Sequence, residues 1–265
     1  DRDIGEFITR ARQVPVLINY SVGNKRFKKK PDQYDLELIR KIEESEIPYW
    51  YPTDRLPEGY NTEQPKVSHG ITHVHHFYTR RNLWVLSCLY HHVKKFLPLL
   101  LIFQSISATL CSKLARYNLG NRGNGPVSGT LYIASLVAEA NATKVFAGKI
   151  KDFKRALGLT KNVRNTLVSC NSTGNVMLCD DSIDYIFTDP PFGGNLMYSE
   201  LNFLWEAWLK VFTNNKPEAI ENKAQGKGPR EYQELMEKCF AEYYRVLKPG
   251  RWMTVVFHNS QNRIW

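Results

Sequence analysis

The sequence predicts an α/β fold, and three consecutive patterns in its C-terminal half support this prediction. Residues 182–188, SIDYIFT, form an apolar run rich in β-forming residues. Apolar residues then repeat every three or four positions over residues 232–246, which is the spacing of an amphipathic helix. After a short Pro-Gly connection, residues 251–257, RWMTVVF, predict a second strand. Strand, helix and strand in this order form a βαβ unit, whose two strands are parallel.

The N-terminal part contains shorter patterns. Residues 4–12 predict a short helix, and the apolar residues 14–22 predict a strand or an extended connection. The basic run NKRFKKK, residues 24–30, predicts a loop that either is solvated or contacts phosphate. A charged helix is expected over residues 33–45. Prolines and aromatic residues make residues 47–65 an ordered but irregular loop.

The middle of the chain is predicted to be mainly helical. Dense apolar positions over residues 81–97 predict a mostly buried helix, and a second helix is expected near residues 134–156. Between them, residues 117–130 form a Gly/Asn/Pro loop that lacks the known phosphate-binding glycine motifs. Residues 165–170, NTLVSC, are a candidate strand, and apolar residues at helical spacing over 201–212 predict a further helix.

The composition favours a folded protein with a polyanionic partner. The chain has 265 residues, 43% of them hydrophobic, and a formal net charge of +10. This charge points to nucleic acid first and to an anionic membrane surface second. The most apolar run, residues 96–103, is too short to span a bilayer, so no membrane partner is expected. The first residues are charged, which argues against a signal peptide.

The cysteines and histidines predict neither a disulfide framework nor a metal site. Five cysteines without a Cys-x-x-Cys pair suggest free thiols in a reducing compartment, so we expect a cytoplasmic protein. His73, His75 and His76 lie close together in sequence, but no cysteine or glutamate nearby completes a ligand set. We therefore expect no bound metal.

The segment Asp189-Pro190-Pro191-Phe192 stands at the carboxyl end of a predicted strand, where open parallel sheets place their chemistry. A residue before proline is held extended, and proline has no N–H to pair with a strand. The segment therefore offers a fixed carboxylate, fixed carbonyl acceptors and a flat ring, a set that suits a planar heterocycle with an amino group. The alternative is a strand that ends in a proline turn, with Phe192 in the core.

This segment resembles the fourth motif of the amino-group DNA methyltransferases, in which an acid, two prolines and an aromatic residue follow an apolar strand. The resemblance extends to residues 70–87, 128–146, 179–209 and 245–260, and covers most of the chain from about Phe7. It implies a Rossmann-like class I methyltransferase sheet, mostly parallel, with helices on both faces. It also implies an S-adenosylmethionine donor, DNA with a flipped base as substrate, and a possible restriction-modification partner. The initial aspartate favours adenine N6 over cytosine N4.

By the same resemblance, Asp189 and the Pro190 carbonyl accept hydrogen bonds from the base amine, and Phe192 stacks on the base. Residues expected near the cofactor are Asp3, Asn171, Ser172 and Thr188. Residues expected to contact the substrate are Gly193, Asn195, Tyr198, Lys25, Arg26 and Arg81. For Tyr198, and for the nearby Glu200, helix capping or packing are equal alternatives. Arg81 has the alternative of pairing with an acid.

One feature of the family is missing. No run in the chain matches the glycine-rich motif that wraps the methionine end of the cofactor. We therefore expect an incomplete domain with a large insertion: a remnant of the cofactor-binding half at 1–12, an insertion that helps recognise DNA at 13–130, and the catalytic core at 131–265. Two alternatives stay open, namely a methyltransferase of RNA or protein amides and a non-catalytic nucleic-acid-binding remnant of a split or truncated methylase.

Overall fold

The computed structural model describes residues 1–117, 125–159 and 165–260. Within these ranges the helices are α1 (Gln33–Glu44), α2 (Tyr60–His69), α3 (Arg80–Val93), α4 (Leu97–Ser107), α5 (Ala142–Leu159), α6 (Tyr198–Leu209) and α7 (Pro229–Val246). The strands are β1 (Ile18–Val22), β2 (Lys25–Lys29), β3 (Ile183–Thr188) and β4 (Leu247–Val255). Half of the predicted glycine-rich loop, residues 118–124, lies outside the described residues.

The predicted βαβ unit is present. Strands β3 and β4 pair in parallel, with Tyr185 opposite Trp252 and Phe187 opposite Thr254. Helices α6 and α7 lie between them in the chain, so the connection crosses over as a parallel pair requires. Within the described residues no further strand pairs with these two. The fold is thus mixed α/β with one parallel pair.

One face of this parallel pair is open. Tyr185, Phe187 and Trp252 lie on it and are 54%, 65% and 79% exposed. On the other face, the Thr188 hydroxyl hydrogen-bonds the Tyr243 hydroxyl of α7 at 2.9 Å. Helix α7 therefore covers one side of the sheet, while the other presents aromatic side chains to solvent.

The hydrophobic core lies among the helices. Helices α3, α4, α5 and α6 supply most of it, and the indole of Trp208 on α6 is completely buried. Its ring packs edge-on against Phe103 at 5.1 Å, and its Nε1 donates to the Tyr78 hydroxyl at 2.9 Å. Residues of the predicted insertion and of the predicted catalytic core therefore share one core.

Several predicted elements differ from the structure. Residues 4–12 form a turn and an extended segment instead of a helix, because the Ala11 N–H donates to the His69 carbonyl at 3.0 Å and not along its own chain. The basic run 24–30 is not a loop. Most of it is strand β2, which pairs with β1 across a turn where Gly23 has a φ of 58°.

The prediction of a strand at residues 165–170 is also wrong. This segment is exposed and is not part of a strand, and within the described residues no strand pairs with it. The helix predicted at 81–97 ends at Val93, and Pro98 sits in the first turn of the separate helix α4. The helix expected at 134–156 begins only at Ala142, after an extended stretch.

No described helix has the length and apolarity needed to cross a membrane.

Candidate functional site

The Asp-Pro-Pro-Phe corner, residues 189–192, directly follows β3. The last residue of the strand, Thr188, is held from two sides, since its carbonyl accepts from the Val256 N–H at 2.9 Å and its hydroxyl contacts Tyr243. The side chain of Asp189 is exposed at the end of the strand. The corner thus begins from a fixed point at the carboxyl end of the parallel pair, as predicted.

Two of the four backbone carbonyls of the corner accept hydrogen bonds. The Pro191 carbonyl accepts a hydrogen bond from the Tyr232 hydroxyl at 2.8 Å, and the Phe192 carbonyl accepts one from Asn259 Nδ2 at 2.9 Å. By contrast, the Pro190 carbonyl and the Asp189 carboxylate have no hydrogen-bond donor within the described part of the chain. Both acceptors assigned to the amine are therefore open among the described residues.

The ring of Phe192 is half-buried and lies outside the hydrophobic core cluster. It contacts the Phe257 ring edge-on, with centroids 5.3 Å apart and an angle of 73° between the planes. The alternative in which Phe192 fills the core is therefore not observed. An edge contact fixes the orientation of a ring without covering both of its faces.

The turn after the corner is tightly built. Gly193 is buried with a φ of 64°, a conformation that favours glycine, and its carbonyl accepts from the Glu221 N–H at 3.2 Å. Asn195 is exposed on this turn. Tyr198 begins α6, and burial together with the negative charge of Asp189 raises its pKa. Of the predicted substrate residues, Gly193, Asn195 and Tyr198 therefore lie beside the corner.

The other predicted substrate residues lie elsewhere. Lys25 and Arg26 are exposed on the β1–β2 hairpin. Arg81 forms an ion pair with Glu139, with Nη2 and Oε2 2.8 Å apart, which is the alternative considered for it. The structure does not bring these cations to the corner, and their contact with DNA stays a prediction.

The predicted cofactor residues do not converge. Asp3 binds Arg80, with Oδ2 and Nη1 2.8 Å apart. Burial raises the pKa of Asp3, but the Tyr51 hydroxyl and the Arg80 guanidinium outweigh it and lower the pKa below its ordinary value. Asn171 and Ser172 lie in an exposed turn, where Ser172 Oγ accepts from the Gly174 N–H at 3.3 Å. Only Thr188 adjoins the corner. The four residues predicted to contact the cofactor therefore do not line one common pocket.

Glu200 does not line the site. Its carboxylate is 2% exposed and accepts from the Asn61 N–H at 2.8 Å and from Asn222 Nδ2 at 3.0 Å. It thereby joins the N-terminal turn of α2 to α6, where a carboxylate also interacts favourably with the helix dipole.

Sequence analysis missed Glu218, which accepts from the Ser199 N–H at 3.0 Å and holds the first turn of α6. No local pattern signals a partner that lies so far along the chain.

The histidine cluster gains a carboxylate that the sequence did not indicate. Oδ2 of Asp1 lies 2.9 Å from His75 Nε2 and 2.7 Å from His76 Nε2, so these groups could face a cation. However, His76 Nδ1 accepts from the Thr72 N–H at 3.2 Å. The proton of a neutral His76 ring is then on Nε2, where it donates to Asp1 and leaves no lone pair for a metal. This tautomer favours a hydrogen-bonded cluster, and the expectation of no metal stays a prediction.

We compared the chain with models of protein families, with curated proteins and with solved structures, and none of the three comparisons gave a match. The resemblance to amino-group DNA methyltransferases therefore rests on the motifs of the sequence and on the geometry of the corner.

Proposed function

We propose that this chain carries the base-binding corner of a DNA methyltransferase that acts on an exocyclic amine, with adenine N6 preferred. One observation supports the proposal more than any other. Among the residues that the structure describes, none donates a hydrogen bond to the Asp189 carboxylate or the Pro190 carbonyl, while hydrogen bonds occupy the two carbonyls that follow them. A base amine has two hydrogens to donate, and the corner offers it two neighbouring oxygens.

The corner would orient the amine and raise its reactivity. Hydrogen bonds from both amino hydrogens to the Asp189 carboxylate and the Pro190 carbonyl draw the nitrogen lone pair out of ring conjugation. The Phe192 ring would stack on the base. Flipping a base out of duplex DNA costs a few kcal/mol, and base–aromatic stacking returns about 1–3 kcal/mol of it. These steps use only residues of this chain.

The methyl donor would be S-adenosylmethionine, which supplies an electrophilic methyl group when bound. Because Asp3 is bound by Arg80 and Ser172 lies in an exposed turn, we derive no transfer step from the described residues. The open aromatic face of β3 and β4 is consistent with a sheet that further polypeptide covers in the active enzyme. The chain alone is accordingly expected to bind S-adenosylmethionine poorly, and micromolar binding in a calorimetric titration would contradict this part of the proposal.

The test of the corner needs no cofactor. Fluorescence anisotropy would compare binding of labelled (dA)12 and (dI)12, two purine oligonucleotides that differ at C6, where adenine has an amine and hypoxanthine a keto oxygen, and at N1, which carries a hydrogen only in hypoxanthine. We expect (dA)12 to bind about 10-fold or more tightly, since a hydrogen bond to a charged group contributes about 1.5–3 kcal/mol. Asp189→Ala should abolish the preference.

Asp184→Ala is the matched control. Asp184 lies on the same strand, is exposed and pairs with Lys248 at 3.0 Å, so its loss should leave the preference intact. Equal binding of (dA)12 and (dI)12 by the wild-type protein would refute the proposal.

The alternatives are separated by the labelled product. A lysate of cells that overproduce the protein, incubated with radiolabelled S-adenosylmethionine, should incorporate more label into DNA than a lysate of the same cells without the protein. Label in RNA or in protein would favour the alternative substrates, for which the same two acceptors serve any planar amine. An amine preference without transfer to any acceptor, even in that lysate, would favour the non-catalytic nucleic-acid-binding remnant.

A further inference from the structure

A second site lies at the far end of α6 from the corner. A cavity of about 370 Å³ opens there between the segment that contains Trp50, the end of α3 and the end of α6. Its lining consists of aromatic and basic side chains, namely Trp50, Tyr90, His91, Lys94, Lys95 and Lys210. No acidic residue is among them. We call this the lysine–tryptophan pocket.

The wall of the pocket is fixed. Trp50 is 41% exposed, and the rest of its ring packs edge-on against the buried Trp208, with centroids 6.1 Å apart. Tyr90, which is buried, lies 5.3 Å from the Trp50 ring centroid. Because both neighbours belong to the hydrophobic core, the exposed part of the tryptophan is a rigid surface.

Lys210 is placed over this surface by an unusual backbone conformation. It ends α6 with a φ of 59°, a left-handed conformation that favours glycine or asparagine at the end of a helix. The turn brings Lys210 Nζ to 3.8 Å from the centroid of the Trp50 ring, within the range of a cation–π interaction. The ring therefore holds one ammonium group at the mouth of the pocket.

The pocket has positive charge without a counter-charge. Lys94 and Lys95 are exposed, and within the described part of the chain neither they nor Lys210 form an ion pair with a carboxylate. Three lysines that line one cavity beside an aromatic wall form a site for a phosphate group rather than for a cation or an apolar ligand.

We propose that the lysine–tryptophan pocket binds a backbone phosphate of the same nucleic-acid strand that the corner engages. The identification of the strand as DNA rests on the proposed function. Helix α6 begins beside the corner and ends at Lys210, and its 12 residues correspond to about 18 Å. Successive phosphates of one strand advance by about 3.4 Å along the axis of a duplex, so a duplex whose axis follows α6 presents a phosphate to the pocket about five nucleotides from the base in the corner.

The test is the salt dependence of binding to a 20-base-pair duplex, measured by anisotropy without S-adenosylmethionine. The variant K94Q/K95Q/K210Q is compared with K144Q/K151Q/K154Q, which removes three exposed lysines from α5 and has the same net charge. Each lost phosphate contact should lower the slope of log K against log salt by about 0.9, so the loss of affinity between 50 and 200 mM salt shrinks about 3.5-fold per contact.

We expect the pocket variant to lower the slope by at least one contact and the α5 variant to leave it unchanged. Equal slopes for the two variants would show that charge acts diffusely and would overturn the proposal. Competition by millimolar inorganic phosphate that abolishes the difference between the variants would assign the pocket to a free anion, which also overturns it.

The two proposals fail separately. Asp189→Ala should remove the preference for (dA)12 over (dI)12 but keep the salt slope of the wild type, while K94Q/K95Q/K210Q should do the reverse. If the pocket variant lowers the slope and the wild-type protein shows no amine preference, the pocket stands and the methyltransferase proposal falls.

Discussion

The buried carboxylate of Glu200 gives a sharp prediction about how the corner is held in place. Glu200 lies in the first turn of α6, immediately after the corner, and joins this helix to the N-terminus of α2 through Asn61 and to the following loop through Asn222. We expect Glu200→Ala to destabilise the fold and Glu200→Gln to have an intermediate effect. The two substitutions separate the loss of both bonds from the loss of one.

The magnitude follows from the two hydrogen bonds. Each bond to the buried carboxylate contributes about 1.5–3 kcal/mol, so Glu200→Ala should cost about 3 kcal/mol or more. In Glu200→Gln the amide oxygen still accepts from the Asn61 N–H. The amide NH2 group then faces Asn222 Nδ2, so that two donors meet. Asn222 cannot rotate to accept, because its Oδ1 already accepts from the backbone N–H of Ala224 at 2.9 Å. Glu200→Gln should therefore cost about half as much, about 1.5–3 kcal/mol.

Urea unfolding followed by circular dichroism measures these differences, and thermal melting should show a decrease of about 6–12 °C for Glu200→Ala. Asn202→Ala is the control, because Asn202 is exposed on the same helix, and it should change the stability by less than about 0.5 kcal/mol. A Glu200→Gln protein as stable as the wild type would show that the carboxylate does not accept from both donors, and the reasoning would be wrong.

Further predictions concern Glu200 and the histidine cluster. A Cβ atom at Gly59 would lie 2.1 Å from Glu200 Oε1, so Gly59→Ala should destabilise the protein, and much less so in a Glu200→Ala background; additive effects in urea unfolding would contradict the contact. Burial lowers the pKa of His75 to about 4. Because the unfolded histidine takes up a proton below its ordinary pKa of about 6.5 and the native one does not, His75 alone should lower the stability by up to about 1.4 kcal/mol per pH unit between pH 6.5 and 4. Burial also lowers the pKa of His76, so His75→Gln should reduce the pH dependence by about this amount and leave the contribution of His76. If Asp1, His75 and His76 form a hydrogen-bonded cluster, micromolar Zn²⁺ should leave the melting temperature unchanged, and a rise with zinc concentration would show ligation.

Local sequence patterns predicted correctly those parts of the molecule whose structure depends on residues close together in the chain. The apolar run of β3, the amphipathic spacing of α7 and the short connection to β4 predicted a parallel pair, and the structure has it. The corner was predictable for the same reason, since proline restricts its own backbone and that of the residue before it. Asp189 is exposed at the end of the strand, as this reasoning requires.

Prediction from local patterns failed where the structure of a segment depends on whether another strand pairs with it. The basic run at residues 24–30 appeared to be a loop because its charge is conspicuous, yet pairing with β1 and a ring contact between Tyr20 and Phe27 at 5.5 Å make it a strand. Residues 165–170 have strand-like composition but no strand beside them. A strand is stable only when its backbone groups and side chains find neighbours, which composition alone does not reveal.

The sequence by itself determined the charge of the protein, its βαβ unit and the position of the Asp-Pro-Pro-Phe corner at the end of a strand. Only the tertiary structure decided which acceptors of the corner stay free, that Asp1 joins His75 and His76, and that Lys210 meets the Trp50 ring. The physical reason is distance along the chain. Backbone restriction and hydrophobic periodicity act over a few residues, whereas these contacts join segments that only the packing of the helices brings together.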